Sequence, residues 1–484
     1  KMSYLGIDLG TSGLRALLVD ARGITLGAAE RHYSVAHPHP GWCEQDPTDW
    51  IQALEGAVDE LAQTCAGFSD LKGIGVAGHM HGATLIDKGG DVIRPCILWN
   101  DTRSHAEARY LDGRDGVRDL SCNIVFPGFT APKLLWVKEH EPENFERIAK
   151  VLLPAAYLNY YLTGDYVADM SDSAGTSWLD VQARDWSPEL LDAGDMRLDQ
   201  MPRLVEGSHA AGTLRAELAQ RWGVGAGITV AGGAGDNAAA ACGIGALSDG
   251  DAFLSLGTSG VLLAARDACR PAPASALHTF CHAVPDRWYQ MGVMLAATDS
   301  LNWFSRISGR TPAELTGALG DDISQTTSVR FLPYISGERT PHNDADIRGA
   351  FTGIGAQTTQ ADMTRAVLEG VSFGLKDSAE ALKATGAELD NMLIVGGGAA
   401  ASYWVKLLAT VLGTPLALPK DQECGAALGA ARLAICAATK GSVKDIMTPP
   451  EPAAVIEPLV AHKAQFDDLY EAFKAAYPLI KQAQ

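Results

Sequence analysis

The stretch SYLGIDLGTSGLRALLVD, residues 3–20, consists of two apolar segments separated by a short turn. Tyr4 to Leu9 predicts a buried strand, and Leu14 to Val19 predicts a second one. The turn contains Gly10, Thr11, Ser12 and Gly13. Glycines allow close approach to backbone N–H groups, which together with hydroxyls are the donors that a phosphate needs. The stretch therefore predicts a β-hairpin whose turn binds phosphate.

Asp8 lies just before this turn, where a carboxylate would repel a bound phosphate. A divalent cation between the two removes that repulsion, and Mg²⁺ typically binds through a carboxylate, waters and nucleotide phosphates. Asp8 is therefore the candidate metal ligand. Taken alone, the same residues also fit an ordinary hairpin that binds nothing.

The pattern recurs half a chain later, in FLSLGTSGVLLA, residues 253–264. Gly257 and Thr258 repeat Gly10 and Thr11, but Ser255 stands where the first copy has Asp8. Self-similarity on this scale indicates two related domains that face one ligand. We expect domains 2–246 and 247–484, with the metal and terminal phosphate at the first hairpin and only hydrogen bonds from the second.

The composition excludes several classes of protein. A chain of 484 residues is too long for one ordinary core, and its 47% hydrophobic and 20% charged residues are typical of a soluble enzyme. The net charge of −19 argues against a nucleic-acid or anionic-membrane partner. No apolar run is long enough for a membrane span. The nine cysteines are scattered without CxxC spacing, which indicates reduced thiols in a cytoplasmic protein.

Two segments of the first half are candidates for binding a polar small molecule. Leu71 to Ala77 predicts a strand that ends in Gly78-His79-Met80-His81-Gly82, and such strand ends often carry ligand contacts. His81 is the candidate, since it could hydrogen-bond a sugar hydroxyl, although a loop histidine can also be satisfied by the backbone. The second segment, Trp99-Asn100-Asp101, offers an aromatic face, an amide and an acid to a polyol, or is simply the start of a capped helix.

Two further segments follow predicted strands. Gly235-Asp236-Asn237 comes before a run of small residues that favours a helix. Asp236 is either the cap of that helix or a general base in a cleft. Near the end of the chain, a strand runs into Gly396-Gly397-Gly398, where a bare backbone can lie against a nucleotide or form only a tight turn.

Together, the two hairpins, the Asp236 segment and the strand with three glycines resemble the FGGY carbohydrate kinases, over essentially the whole chain. Residues 128–140, with Lys133 and Trp136, match the first signature of that family, and positions within 349–369 match the second. The resemblance implies an α/β fold of two related actin/hexokinase-like (ribonuclease H-like) domains with a ligand cleft between them. It also implies ATP-dependent phosphorylation of a sugar, with Mg²⁺.

Four segments are most similar to family members that phosphorylate D-xylulose to D-xylulose 5-phosphate; they are residues 80–82, 99–103, 235–237 and 336–342. This resemblance implies a role for each candidate residue. Asp236 would be the catalytic base and Asp8 would serve Mg²⁺. The sugar contacts would be Met80, His81, Asp236 and Asn237, with Trp99, Asn100 and Asp101 nearby. The nucleotide contacts would be Thr11, Ser12, Gly257, Thr258, Gly397 and Gly398.

Other functions remain open on the sequence alone. The substrate could be another ketopentose or a polyol, such as ribulose. A chaperone- or filament-type ATPase of the same superfamily would share the hairpins but would need no sugar base. A sugar-binding regulator would need a DNA-binding appendage, and the acidic chain shows no basic helix-turn-helix. The expected partners are a sugar and ATP, and a homodimer is compatible with the sequence. Ala400 and Ala401 depart from the family pattern on the nucleotide side.

Overall fold

The computed structural model describes residues 2–484, except for the side chain of Asn391. Its strands are β1 (Ser3–Leu9), β2 (Gly13–Asp20), β3 (Thr25–His32), β4 (Glu44–Gln45), β5 (Leu71–Gly78), β6 (Thr84–Ile86), β7 (Cys96–Ile97), β8 (Lys150–Leu152), β9 (Val167–Asp169), β10 (Leu179–Asp180), β11 (Asp185–Trp186), β12 (Arg203–Val205), β13 (Ala210–Thr213), β14 (Thr229–Ala231), β15 (Ala234–Gly235), β16 (Asp251–Leu256), β17 (Gly260–Arg266), β18 (His278–Cys281), β19 (Trp288–Met294), β20 (Arg330–Leu332), β21 (Ala350–Thr352), β22 (Asn391–Val395), β23 (Leu416–Pro419) and β24 (Pro452–Ile456).

Its α-helices are α1 (Pro47–Thr64), α2 (His105–Asp112), α3 (Val117–Ser121), α4 (Thr130–His140), α5 (Pro142–Glu146), α6 (Pro154–Thr163), α7 (Met170–Ser173), α8 (Pro188–Ala193), α9 (Ala216–Trp222), α10 (Asp236–Ile244), α11 (Thr298–Ser308), α12 (Pro312–Gly317), α13 (Gln360–Ala384), α14 (Ser402–Leu412), α15 (Ala426–Thr439), α16 (Val443–Ile446) and α17 (Val460–Ala483).

Two large sheets have the same strand order. The first runs β13-β14-β5-β1-β2-β3, with β15 also paired to β5, and the second runs β24-β23-β22-β16-β17-β19-β18. In each, an antiparallel hairpin lies beside a strand parallel to its first member. This confirms the predicted fold of two related α/β units. The second sheet carries one additional edge strand, β18, beyond the shared order.

Both predicted hairpins are present at the expected register. Asp8 pairs with Arg15 across β1 and β2, and Ser255 pairs with Val261 across β16 and β17. The inward residues of these strands are buried, because each hairpin lies at the centre of its sheet. The two turns therefore project from the same end of equivalent strands.

Helix α15 connects the two halves of the chain. Although it comes from residues 426–439, it packs on β1 and β5 of the first sheet and on α10. Glycines allow this approach, because a Cβ on Gly6 would lie 2.0 Å from the Ala427 oxygen, and one on Gly75 would lie 2.0 Å from the Ala430 oxygen. The predicted division at residues 246 and 247 thus leaves α15 on the sheet of the other half.

The interior is apolar and extensive, with separate clusters of buried residues beside each sheet and a further one between them. All nine cysteines are free thiols. Within the described residues, no helix is both long enough and apolar enough to cross a bilayer.

Candidate active site

The first hairpin turn is closed and held by several hydrogen bonds. The Gly10 amide donates to the Gly13 carbonyl at 2.8 Å. The Trp99 indole nitrogen donates to the Thr11 hydroxyl oxygen at 2.9 Å. Ser12 is exposed at the tip. The turn thus presents hydroxyl and amide groups to solvent, and Trp99 lies against it.

Asp8 is a partly buried carboxylate that shares its surroundings with other acids. Burial, followed by the charge of Asp236, raises its pKa to about 7, and nearby Arg15 opposes the shift. Arg15 itself pairs with Glu30 and Glu423. Because that cation is already shared by two carboxylates, negative charge accumulates around Asp8. A carboxylate in such negative surroundings favours a bound divalent cation.

A different set of residues is close enough to hold a metal by itself. Among the described residues, the only group of three or more such side chains whose ligand atoms all lie within 4.8 Å of one another is Glu107, Glu139 and His140, at the surface. Exposed acidic groups of this kind are common without an ion. A cation at Asp8 would therefore need water and phosphate oxygens to complete its coordination.

Asp236 is the first residue of α10, and Gly235 takes the cap position. The alternative interpretation of Asp236 as the helix cap is therefore wrong. Its Oδ1 accepts a hydrogen bond from the Asn237 amide at 2.8 Å. Burial raises the pKa of Asp236 to about 6, and the Asn237 hydrogen bond lowers it. At neutral pH the carboxylate is mostly ionised, yet its pKa is near the value that suits a general base.

The structure adds a second acid that sequence reasoning missed. Asp172, in α7, is 2% exposed, and burial followed by the charges of Asp169 and Asp236 raises its pKa well above the usual range. Its Oδ1 has no hydrogen-bond partner among the described residues. A Cβ on Gly235 would lie 3.4 Å from that atom. The only sequence signal was the pair Asp169 and Asp172, three residues apart, where the short strand β9 leads into α7.

The loop after β5 separates its two histidines. The ring of His81 stacks on Phe129 with centroids 4.3 Å apart, and its Nδ1 is 2.8 Å from the Gly175 oxygen. Burial lowers its pKa to about 3, so the ring is neutral and Nε2 is left for another partner. His79 instead packs edge-on against Trp50, at 5.6 Å. The two rings therefore belong to different surroundings.

Met80 lies between these histidines and faces the Asp236 segment. A Cβ on Gly235 would lie 2.9 Å from Met80 Cγ, and the Tyr289 hydroxyl is 3.9 Å from Met80 Sδ. The charge of Asp236 raises the pKa of Tyr289, after burial, which is the larger cause. The structure thus brings together Met80, His81 and Asp236, as the sequence predicts, and adds Tyr289 from the second half of the chain.

The predicted sugar contact at Asp101 is not supported by its surroundings. Asp101 is 1% exposed, and its carboxylate accepts from Arg103 Nη2 at 2.7 Å and from the Cys43 amide at 2.7 Å. Arg103 in turn lies over the Trp42 ring at 3.7 Å. Both of these bonds end on Oδ2, and Oδ1 accepts from the amide and Nε of Arg103, each at 3.0 Å, so both oxygens are occupied in a structural role. Asn100, next to it, is exposed.

The second hairpin is attached to the start of α11. The carbonyl of Gly257 accepts from the Thr298 amide at 2.9 Å, and that of Thr258 accepts from the Ala297 amide at 2.9 Å. The Thr258 side chain and Ser259 are exposed. This turn therefore also presents hydroxyls, but Ser255 stands at the position that Asp8 has in the first hairpin.

A cavity of about 360 Å³ lies next to the three-glycine segment. Its lining residues are Thr298, Leu301, Asn302, Pro312, Ala313, Thr316, Gly397, Gly398, Ala400, Ala401 and Trp404. Gly396 has a φ of 96°, which favours glycine, and a Cβ there would lie 2.6 Å from the Leu256 oxygen. The size and mainly apolar lining suit a planar base. Ala400 and Ala401, the departures from the family pattern, are part of its wall.

The chain matches two family profiles. Residues 3–243 match "FGGY family of carbohydrate kinases, N-terminal domain", and residues 252–438 match the C-terminal domain of the same family.

Similar proteins carry consistent names. A "Xylulose kinase" from Escherichia coli (strain K12) is 47% identical over 438 residues, which is 90% of either chain. One from Staphylococcus epidermidis is 36% identical over 99% of this chain and 96% of its own. A crystal structure of a "xyloylose kinase" from Brucella ovis has a TM-score of 0.98 and 53% identity over all of both chains. The structure of xylulose kinase from Rhodospirillum rubrum has a TM-score of 0.92 and 28% identity over 99% of both.

Proposed function

This chain belongs to the FGGY family of carbohydrate kinases, and on that premise we propose that it transfers the γ-phosphoryl group of ATP to the 5-hydroxyl of D-xylulose. Relatives named xylulose kinase, one of them 36% identical, span almost its entire length. The observation that carries the proposal is the position of Asp236, a carboxylate with a raised pKa beside Met80 and in the electrostatic field of Asp8.

Asp236 is the proposed general base. A sugar hydroxyl becomes a good nucleophile only when its proton is removed as it attacks. A carboxylate whose pKa is about 6 is ionised at neutral pH and is still basic enough to accept that proton. The phosphoryl group passes through a loose transition state, so positioning and charge neutralisation account for most of the catalysis.

Asp8 is the proposed protein ligand of Mg²⁺. Its carboxylate does not form an ion pair with Arg15, because that side chain already pairs with Glu30 and Glu423. When bound, Mg²⁺ would neutralise phosphate charge and orient the phosphates. Asp8 would then be held in its ionised form, against the tendency of burial and Asp236 to protonate it.

ATP is proposed to span both hairpins. Thr11 and Ser12 of the first turn, and Gly257 and Thr258 of the second, offer hydroxyl and amide donors to its phosphates. Its base would enter the cavity bordered by Gly397 and Gly398, where Ala400 and Ala401 provide an apolar wall.

The proposed sugar contacts are Met80, His81 and Asn237, which surround Asp236. Trp99 and Asn100 are exposed next to the first hairpin, and we propose that they also contact the sugar. We keep the division into residues 2–246 and 247–484, the cytoplasmic location and the homodimer as predictions.

The test is a substrate panel with the purified protein. ADP release is measured with ATP and Mg²⁺ in the presence of D-xylulose, D-ribulose, xylitol or glycerol, and with no sugar. We expect the highest kcat/KM with D-xylulose and little release without sugar. A preference for D-ribulose would reassign the substrate. Sugar-independent ADP release at the same rate would favour an ATPase instead of a kinase.

A further inference from the structure

Arg339 belongs to the loop between β20 and β21, whose residues 336–342 have no role in the site described so far. Its guanidinium makes a single hydrogen bond among the described residues, from Nη1 to His278 Nε2 at 3.2 Å. It lies over the ring of Phe126, 4.5 Å from the centroid. Burial lowers its pKa to about 10, so it remains a cation. Because a guanidinium has five N–H donors, most of them are left for another acceptor.

His278 lies on β18, the strand that extends the second sheet beyond the order shared by both sheets. The ring is 2% exposed, and burial lowers its pKa well below the usual range, so it is neutral. Since Nε2 accepts from Arg339, the ring proton belongs on Nδ1. Nδ1 has no hydrogen-bond partner within the described part of the chain. His278 thus holds Nη1 of Arg339 through Nε2, and the remaining donors of the guanidinium lack acceptors among the described residues.

These donors share an aromatic wall with His81. Phe129 stacks on His81, and its centroid is 5.8 Å from the His278 ring and 5.4 Å from the Phe126 ring. Arg339 is close enough to His81 for its charge to contribute to lowering the pKa of that ring. The second half of the chain thus brings the Arg339 guanidinium next to Phe126 and His81 of the first half.

The contacts also give an order along the pocket. Asp236 adjoins Met80 through Gly235. Beyond His81 and Phe129 come His278 and Arg339. A short linear molecule with its reacting hydroxyl at Asp236 would therefore direct its far end toward Arg339.

We propose that Arg339, held in place by His278, binds the carbonyl oxygen at C2 of the ketopentose and so selects a ketose over the corresponding pentitol. This inference rests on the proposed function. In the ring form of a 2-ketopentose, O5 is bonded to C2, so only the open chain has both a free 5-hydroxyl and a free carbonyl. A carbonyl oxygen only accepts hydrogen bonds, which matches a subsite made of donors. A pentitol would bring a hydroxyl proton that finds no acceptor there.

The loop that carries Arg339 is firmly attached to the second sheet. The next residue, Thr340, donates from its amide to the Val293 carbonyl at 3.1 Å, and its hydroxyl donates to the Ala276 carbonyl at 3.0 Å. Glu338 accepts from the amides of Arg339 at 2.8 Å and Leu295 at 3.0 Å. The guanidinium is therefore positioned before the sugar arrives, as a specificity group requires.

The test compares Arg339→Gln with a matched control, Arg330→Gln. Arg330 begins β20 in the same half and faces Glu369, so the control removes the same charge outside the pocket. KM and kcat are measured for D-xylulose and ATP, the Ki of xylitol as a competitive inhibitor is determined, and thermal unfolding is followed. For Arg339→Gln, we expect the D-xylulose KM to rise about 10-fold or more, with an unchanged ATP KM. The ratio of xylitol Ki to D-xylulose KM should fall by a similar factor. The control Arg330→Gln should leave both the D-xylulose KM and this ratio at their wild-type values.

An unchanged D-xylulose KM in Arg339→Gln, in a wild-type protein that phosphorylates D-xylulose, would overturn this inference alone. The inference would also be overturned if the KM of ATP and the Ki of xylitol rose by the same factor as the KM of D-xylulose. A wild-type protein inactive on D-xylulose would overturn the proposed function as well. If Arg339→Gln unfolds, Arg339→Lys keeps the charge but loses the planar fork of donors. Its D-xylulose KM should then rise selectively, and wild-type values for it would count against the inference.

Discussion

The two hairpin turns have nearly the same sequence and the same place in their sheets, but their surroundings differ. At the first, Asp8 stands beside Asp236 and the Arg15–Glu423 pair. At the second, Ser255 takes the place of the acid, and the turn is bonded to the start of α11. Both turns offer the same backbone amides and hydroxyls, so the proposed metal preference of the first turn depends on the exchange of Asp8 for Ser255.

The strands next to the two hairpins also lead into different residues. The strand parallel to the hairpin is β5 in the first sheet and β22 in the second. After β5 come His79, Met80 and His81, whereas three glycines follow β22. Polar side chains at the first position suit the proposed sugar, and bare backbone at the second suits the proposed nucleotide base. The proposed division between two substrates thus follows from different residues at equivalent strand ends.

The largest loss of turnover is expected from a substitution of Asp236, the acid at the start of α10. Asp236→Asn removes the proposed base and should lower kcat by about 10²–10⁴-fold, while ATP binding stays close to that of the wild type. A variant with more than about a tenth of wild-type turnover would exclude Asp236 as the base.

The pH profile provides an independent check on Asp236. Because its pKa is raised from 3.8 to about 6, the basic form is present above that pH and is lost as the pH falls through it. The kcat/KM for the sugar should therefore decline below about pH 6. A plateau that continues to pH 4.5 would contradict the assignment.

Exchanging the residues that distinguish the two hairpins should show which difference matters. Asp8→Ser makes the first turn resemble the second and should lower kcat by about 10-fold or more, with a higher Mg²⁺ requirement. The reciprocal Ser255→Asp places a second acid near the phosphates and should raise the ATP KM through like-charge repulsion. An unchanged Mg²⁺ dependence in Asp8→Ser would assign Asp8 to the structure of the hairpin.

We propose that the loop after β5 binds the sugar and the loop after β22 binds the nucleotide. A substitution in the β5 loop should therefore change the KM of the sugar and not that of ATP. His81 has a φ of 72°, which asparagine tolerates, so His81→Asn removes the ring with little backbone strain. It should raise the D-xylulose KM about 10-fold and leave the ATP KM unchanged, because a buried sugar hydroxyl loses its partner. His79→Asn is the control, since that ring packs on Trp50 and should affect thermal stability instead. Equal KM effects would show that the loop acts only through its shape.

Removal of the threonine hydroxyl from either turn should have a smaller effect on the ATP KM, and the two turns should respond differently. Thr11 already accepts from Trp99, whereas the Thr258 side chain is exposed. Thr258→Val should raise the ATP KM a few-fold, as expected for one lost hydrogen bond. Thr11→Val should in addition release the indole, which Trp fluorescence would detect. Identical changes in both variants would remove the distinction between the turns.

The smallest effect concerns stability. The folded-state pKa of Asp8 is raised to about 7 from 3.8, so ionising it costs stability as the pH rises through this range. Asp8→Asn removes that cost and should stabilise the Mg²⁺-free protein at pH 8 by about 1–2 kcal/mol, allowing for partial solvation. At pH 4 the gain should disappear. A stabilisation that is the same at both pH values would point to a cause other than the charge of Asp8.

The sequence by itself determined the two units, the two phosphate turns and the candidate base. These depend on local order: apolar runs predict strands, and glycines with hydroxyls between them predict the turns. The exchange of Asp8 for Ser255 was visible because the two copies can be aligned residue by residue. Asp236 was identified because it stands at the end of a strand, before a run of small residues.

Only the tertiary structure decided the features that depend on distant contacts. It buried Asp101 against the amide of Cys43, and it placed α15 on the sheet of the other half. It brought Asp172 to Asp236 and brought His278 and Arg339 to the wall of the His81 pocket. No local pattern reveals these neighbours, because burial and partners are set by chain segments more than fifty residues apart.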